Sequence, residues 1–373
     1  MKRLWITLLM SWAFPAYASV PGGFQQLDDE ALGDIHGQAM FVSDYRQGAE
    51  GDGIDNNEFG FYRLMLNANL ELNLNIDKLQ LGCGGVNDGI APGCDVDIDY
   101  FRMMGLHDGP GNNPNQPAGA GQAGNPVESL FSLVRPYVEF AVTNPDQPAF
   151  REIAGIKVGS QTARGFMSFG RYDPSLPGCS NPPNDPNCHM GINQFSGFMD
   201  ARLQGDVDLN IQGCLYSGAP SWLCANLLGG DLSFDERQSV QGTRMNAPIF
   251  AIPASGQISL GWLGNIPIDI FSLFQADLRF IHGVRLEGSD DFFLSFQREP
   301  ITYPAFEEGE WAAASANTGW WMNMPNIEVS DLQVGYTTNF VGAISSLFGT
   351  TQLVNYDVGQ RPANNCWGAA QFC

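Results

Sequence analysis

The chain has 373 residues, 44% of them apolar, and sets 18 basic against 40 acidic residues for a formal charge of −22. A surface this acidic repels nucleic acid and anionic membranes. A chain this long also buries a large core without needing cross-links merely to fold.

In chain order, Lys2 and Arg3, the apolar run Leu4 to Phe14 and the small-x-small site Ala16-Tyr17-Ala18 read as a secretory signal peptide over 1–18. The apolar run is too short to cross a bilayer, and no later stretch reads as a transmembrane helix. Cleavage after Ala18 removes two basic residues, leaving 16 against 40, or 16 − 40 = −24. Residues 26–36 are expected to form a short helix, capped by Asp28 or Asp29 and ended by Gly37. The expected organisation continues with an N-terminal segment over 19–48 and a single β-rich domain over 49–373.

Period-two alternation dominates that domain. From Tyr62, Leu64, Leu66, Ala68, Leu70, Leu72, Leu74 and Ile76 share one side, while Arg63, Asn67, Asn69, Glu71, Asn73, Asn75 and Asp77 share the other. This predicts one long strand with one apolar face, and a bulge near Lys78 where the phase slips. Met199, Ala201, Leu203, Val207, Leu209 and Ile211 repeat the arrangement, and both runs end in Gly-Cys. An internal duplication, over about 60–190 and 191–373, follows from that repeat. Further strands are expected at Pro136 to Thr143, Phe150 to Val158, Gly165 to Gly170, Gln257 to Trp262, Ala276 to His282, Asp291 to Gln297 and Asn326 to Tyr336. Helices are expected at Pro126 to Val134 and Phe340 to Phe348, and a long loop at Asp108 to Asn125. The fold class is therefore all-β, with long antiparallel amphipathic strands in a curved sheet or sandwich, few short helices and disulfide-pinned loops.

Eight cysteines form four close pairs: Cys83 with Cys94, Cys179 with Cys188, Cys214 with Cys224, and Cys366 with Cys373. In an exported chain such pairs become disulfides, and each brackets a stretch rich in turn residues. The tight C-x-x-C pairs of a zinc site are absent. Among acidic clusters, Asp52, Asp55 and Glu58 sit in an oxygen-rich loop of the kind that holds calcium, although the EF-hand pattern fails at Ile54. Asp95, Asp97 and Asp99 read as a solvated strand face. Otherwise no cofactor is expected.

No nucleophile elbow, metalloprotease motif, phosphate loop or dinucleotide fingerprint occurs. Of the four histidines, His282 reads as structural. Trp311, Trp320 and Trp321 are candidate ligand or partner contacts, or else close the end of a core.

The segment Phe24 to Ala39, FQQLDDEALGDIHGQA, with the block NANLELNLNIDKLQLGCGGVNDG, resembles a group of uncharacterised exported proteins of Gram-negative bacteria. These share L-x-D-x-x-L-x-x-[IV]-x-G-Q near the mature N-terminus. The resemblance implies export and supplies no catalytic residue.

The leading expectation is a non-enzymatic envelope or cell-surface protein acting in assembly, adhesion or another interaction, in the periplasm, at the outer-membrane surface or outside the cell. A periplasmic carrier, holding a lipid or other apolar ligand in a β groove walled by Leu64 to Ile76 and Met199 to Ile211, is the second reading. An extracellular carbohydrate-active enzyme is the third, with no acid pair singled out. A transmembrane barrel ranks below the carrier, because the polar faces are rich in Asn and Asp and the chain ends in Cys373.

Overall fold

Alternating apolar and polar residues with β-branched and aromatic side chains favour the pleated backbone, and the computed structural model is almost entirely strand. It describes residues 40–51, 54–106, 130–214, 224–246, 250–259, 265–339, 353–354 and 357–366. The first half contains β1 (Phe41–Gln47), β2 (Glu50–Gly51), β3 (Ile54–Asp55), β4 (Phe59–Leu66), β5 (Asn69–Leu72), β6 (Leu74–Leu81), β7 (Val96–Met104), β8 (Phe131–Thr143) and β9 (Glu152–Ser168). The second contains β10 (Arg171–Tyr172), β11 (His189–Met190), β12 (Ile192–Cys214), β13 (Cys224–Met245), β14 (Phe250–Ser259), β15 (Asn265–Ala276), β16 (Gly283–Gln297), β17 (Gly319–Asn339) and β18 (Leu353–Val354). No described helix is long and apolar enough to cross a membrane.

Residues 40–373 form one compact unit. Its main sheet runs β1-β4-β8-β9-β16-β17-β12-β13-β14-β15-β18, mostly antiparallel, with the β12–β17 and β15–β18 pairs parallel. Strand β7 joins both β9 and β12, so β7, β9, β16, β17 and β12 close into a ring. All five contribute to one apolar core, through Val96 and Phe101, Met167, Leu286, Val329 and Val334, and Leu203 and Val207. A second core lies on the opposite face of the β4-β8-β9-β16-β17 sheet, where Phe61, Phe293 and Trp321 pack beneath Ile301, Tyr303 and Trp311 from the segment 298–318.

Several local expectations change. The predicted strand from Tyr62 to Asp77 is three strands, interrupted at Asn67-Ala68 and at Asn73. β4 and β5 pair with β8, whereas β6 turns away to pair with β7. The segment Pro126 to Val134 enters the described residues as strand, because Phe131 to Val134 open β8. Beyond Ala276 the chain makes a 3-10 turn over Leu278–Phe280, where the Asp277 side chain accepts from the Arg279 amide. That cap satisfies an amide a strand would have used, which ends β15. The predicted helices at 26–36 and 340–348 and the loop 108–125 lie outside the described residues.

Candidate functional site

The two faces of the β1-β4-β8-β9-β16-β17 sheet have opposite chemistry, and the register shows it row by row. One row carries Tyr45, Tyr62, Phe140, Ile156, Phe296 and Trp320, each directly opposite the next. The neighbouring row carries Ser43, Leu64, Val138, Val158, Leu294 and Met322. Residues directly opposite in a ladder share a face, so these rows form one apolar surface. Aromatic contacts close both ends of the first row, with ring centroids 4.8 Å apart for Tyr45 and Tyr62 and 5.3 Å for Phe296 and Trp320. The surface is open: Leu64 is 50% exposed, Val158 53% and Phe296 43%.

The reverse face carries Arg63, Glu139, Lys157, Ser295 and Trp321 in one row, all buried. The apolar face predicted at Leu64 is therefore the outer one here, and the polar residue beside it, Arg63, is the buried one. What reverses the usual arrangement is the segment 298–318, which covers the polar face and supplies carbonyl groups to it. Arg63 donates to the Pro304 and Ala305 carbonyls at 3.1 and 3.2 Å, and Lys157 Nζ donates to Pro304 at 3.0 Å.

Inside this layer four charges balance. Arg63 Nε donates to Glu139 Oε2 at 2.6 Å. Lys157 Nζ lies 3.0 Å from Asp291 Oδ1, 3.2 Å from Oδ2 and 3.8 Å from Glu139 Oε1. Burial works against the Arg63 charge, yet the adjacent Glu139 outweighs it and holds the guanidinium above its ordinary value. The Tyr137 hydroxyl donates to Asp291 Oδ1 and is pushed well above its ordinary value, by burial first and then by the Asp291 and Glu139 charges. The Tyr303 hydroxyl is likewise pushed up by burial and by Glu139. Aromatic rings wall the ammonium, which lies 4.4 Å from the Phe293 centroid and 5.1 Å from that of Tyr137. Backbone conformation makes room for it. Gly159 lies between Tyr137 and Phe293 in the ladder, where a Cβ would come within 2.6 Å of the Phe293 Cβ. Asp291 itself sits at φ 53°, a left-handed conformation that aspartate tolerates better than most residues.

Sequence patterns contained a faint trace of this layer. Lys157 stands between Ile156 and Val158, and Glu139 between Val138 and Phe140, each a lone charge inside an apolar strand. Such a charge on a buried strand calls for a partner of opposite sign on its neighbour. Asp291 left no comparable trace, since Asp290 precedes it as an equally plausible surface acid.

The expected site residues do not come together. Trp320 belongs to the open face, Trp321 is buried in the second core, and Trp311 is half-buried with its ring centroid 5.9 Å from that of Phe61. Asp52 and the Asp55 side chain lie outside the described residues, and Glu58 is exposed. Among the described residues no group of His, Cys, Asp and Glu is placed to hold a metal ion. Asp97 and Asp99 both grip Lys78 Nζ, at 2.5 and 2.9 Å. Asp95 departs from the solvated face expected of it: it is buried, accepting from Asn87, from Arg244 Nε and from the Trp320 amide, each at 2.9 Å.

Cys83–Cys94 and Cys179–Cys188 are bridged. Arg244, fully buried at its side chain, ties the first of these loops to the sheet through Asp88, Asp95 and the Gly82 carbonyl. Cys214 and Cys224 lie directly opposite at the end of the β12–β13 hairpin. Cys366 is also disulfide-bonded, and Cys373 lies outside the described residues. Stable bridges of this kind fit a non-cytoplasmic location.

Two histidines also meet. His189 Nδ1 lies 2.9 Å from His282 Nε2, and His282 Nδ1 donates to the Phe169 carbonyl at 2.9 Å. Burial pushes the His282 imidazole down to about 3. Neutral and enclosed, the pair serves packing. Glu139 and Asp291 are 1% and 7% exposed, so this acid pair is shut off from any polysaccharide. Comparison with protein-family models, with curated proteins and with solved structures finds no match to this chain.

Proposed function

We propose that this chain is a non-enzymatic exported envelope or cell-surface protein, whose open apolar sheet face is the contact surface for an envelope protein. The observation that carries the reading is the pair of apolar rows, exposed at Tyr45, Leu64, Ile156, Val158 and Phe296 and closed off at the buried Met322. An exposed apolar patch, backed by a buried layer of paired charges, is a surface held in place for a partner. Strand β1 favours a polypeptide as that partner, because among the described strands it has β4 as its one neighbour and its far edge presents backbone groups. The signal-like N-terminus and the bridged loops support export. Against the carrier reading stands the second proposed groove wall, since Met199, Ala201, Leu203 and Val207 are packed into the ring core.

The test is fractionation of a Gram-negative host exporting the full chain, beside a Leu64→Asp, Val158→Asp variant. The native chain is expected in the envelope fraction, crosslinked to one discrete protein through a photoreactive residue at position 158, and the variant in the soluble fraction. A native chain that stays soluble and monomeric would defeat the reading. Recovery of bound lipid by native mass spectrometry, without a crosslinked protein, would replace it with the carrier.

A further inference from the structure

From the buried charge layer we infer a modification site: Lys157 and Asp291 condense into an intramolecular amide that joins β9 to β16. The inference is independent of the surface contact described above. Three conditions for such a condensation are met together. The nucleophile lies within reach of the carboxyl group, with Lys157 Nζ 3.0 and 3.2 Å from the two Asp291 oxygens. Reacting groups held about 3–3.5 Å apart need no further encounter to react. Water and competing groups are kept away, because Lys157 is fully buried and ringed by Phe293, Tyr137 and Tyr303. A proton carrier adjoins the amine: Glu139 Oε1 is buried, faces Nζ at 3.8 Å and has no hydrogen-bond partner.

The step balances without a co-reactant. The step opens with transfer of one proton from the Lys157 ammonium to the Asp291 carboxylate, 3.0 Å away, leaving the amine and the acid. Lys157 Nζ then attacks Asp291 Cγ, whose Oδ1 is polarised by the Tyr137 hydroxyl. The Nζ–Cγ bond forms, and Glu139 takes the second proton from nitrogen and passes it to Oδ2. The Cγ–Oδ2 bond breaks and one water leaves through the exposed edge of Asp291, whose side chain is 10% exposed. Glu139 returns to the carboxylate and stays paired with Arg63. Two of four buried charges are thereby removed and the other two remain compensated, a cheaper state than a fully ionic layer.

Intact-mass measurement and tryptic mapping of the exported, bridged full chain test this. The expected mass is one water below that of the bridged mature sequence, with a branched peptide joining the segments around Lys157 and Asp291 and no cleavage after Lys157. A chain of full mass that is cut after Lys157 once denatured would overturn the inference. So would a water loss that maps to any other residue. The role of Glu139 is read from Glu139→Gln. A folded variant that keeps its full mass supports it, and a variant cross-linked to the native extent removes Glu139 from the step.

Discussion

The part of the sheet built on β12 and β17 and the part built on β4, β8, β9 and β16 share one alternation and use it in opposite senses. In the first, Leu203 lies opposite Val329 and Val207 opposite Val334, all inside, while the Arg202–Asp235 and Arg237–Asp200 pairs face solvent. In the second, Arg63, Glu139 and Lys157 are inside, and Leu64 and Val158 are outside. The difference lies in what covers each part. Strands of the ring present apolar side chains to one another, whereas the segment 298–318 presents the Pro304 and Ala305 carbonyls, which replace water around buried cations. A face is thus inner or outer according to its neighbour across the layer.

Substitutions can break this contrast, the largest effect falling in the charged layer. Arg63→Leu leaves Glu139 buried without its closest partner, and denaturant unfolding should show a loss of about 3–5 kcal/mol. Pairing it with Glu139→Leu should restore most of that stability, because both desolvated groups are then gone. Leu203→Ala in the ring should cost about 2–5 kcal/mol through the cavity it leaves. Leu64→Ala, in the same alternation but on the open face, should change stability by no more than about 0.5 kcal/mol. Equal losses at the two leucines would show that the second face is covered in the native protein.

A smaller effect sharpens the link between the halves. The Cys83–Cys94 loop reaches β13 through Arg244 and β17 through the Trp320 amide. Replacing both cysteines by Ala should cost at most about 3 kcal/mol by chain entropy, and protease cleavage within 83–94 should report the loosened loop. A further test is in pH. His282 is held below its unfolded value of 6.5, so the stability it contributes is present above pH 6.5 and is lost as pH falls toward about 3. The unfolding free energy should fall by up to about 1.4 kcal/mol for each pH unit between 6.5 and about 3. His282→Asn should flatten that slope, and an unchanged slope would place the titration elsewhere.

Much of this architecture was legible in the residues. Alternation from Met199 onward marked β12, the expected strands Pro136 to Thr143 and Phe150 to Val158 fall within or across the start of β8 and β9, and close cysteine spacing marked the bridged loops. The candidate sites were less legible. Glu139 and Lys157 showed as lone charges within apolar strands, but their partners Arg63 and Asp291 stand 76 and 134 residues away along the chain. The three tryptophans looked like one cluster, yet Trp320 and Trp321 are adjacent in a pleated strand and necessarily point to opposite faces.

What the sequence determined by itself is therefore local: a two-residue period sets strand, pleat and the division of residues between two faces. Which face is buried was decided only by tertiary structure. The cost of burying Arg63, Glu139 and Lys157 depends on groups that fold over them from 298–318, and no periodicity within a strand records those groups. The closure of β7 onto both β9 and β12 is of the same kind, since an amphipathic strand carries no mark of the neighbours that will take up its backbone hydrogen bonds.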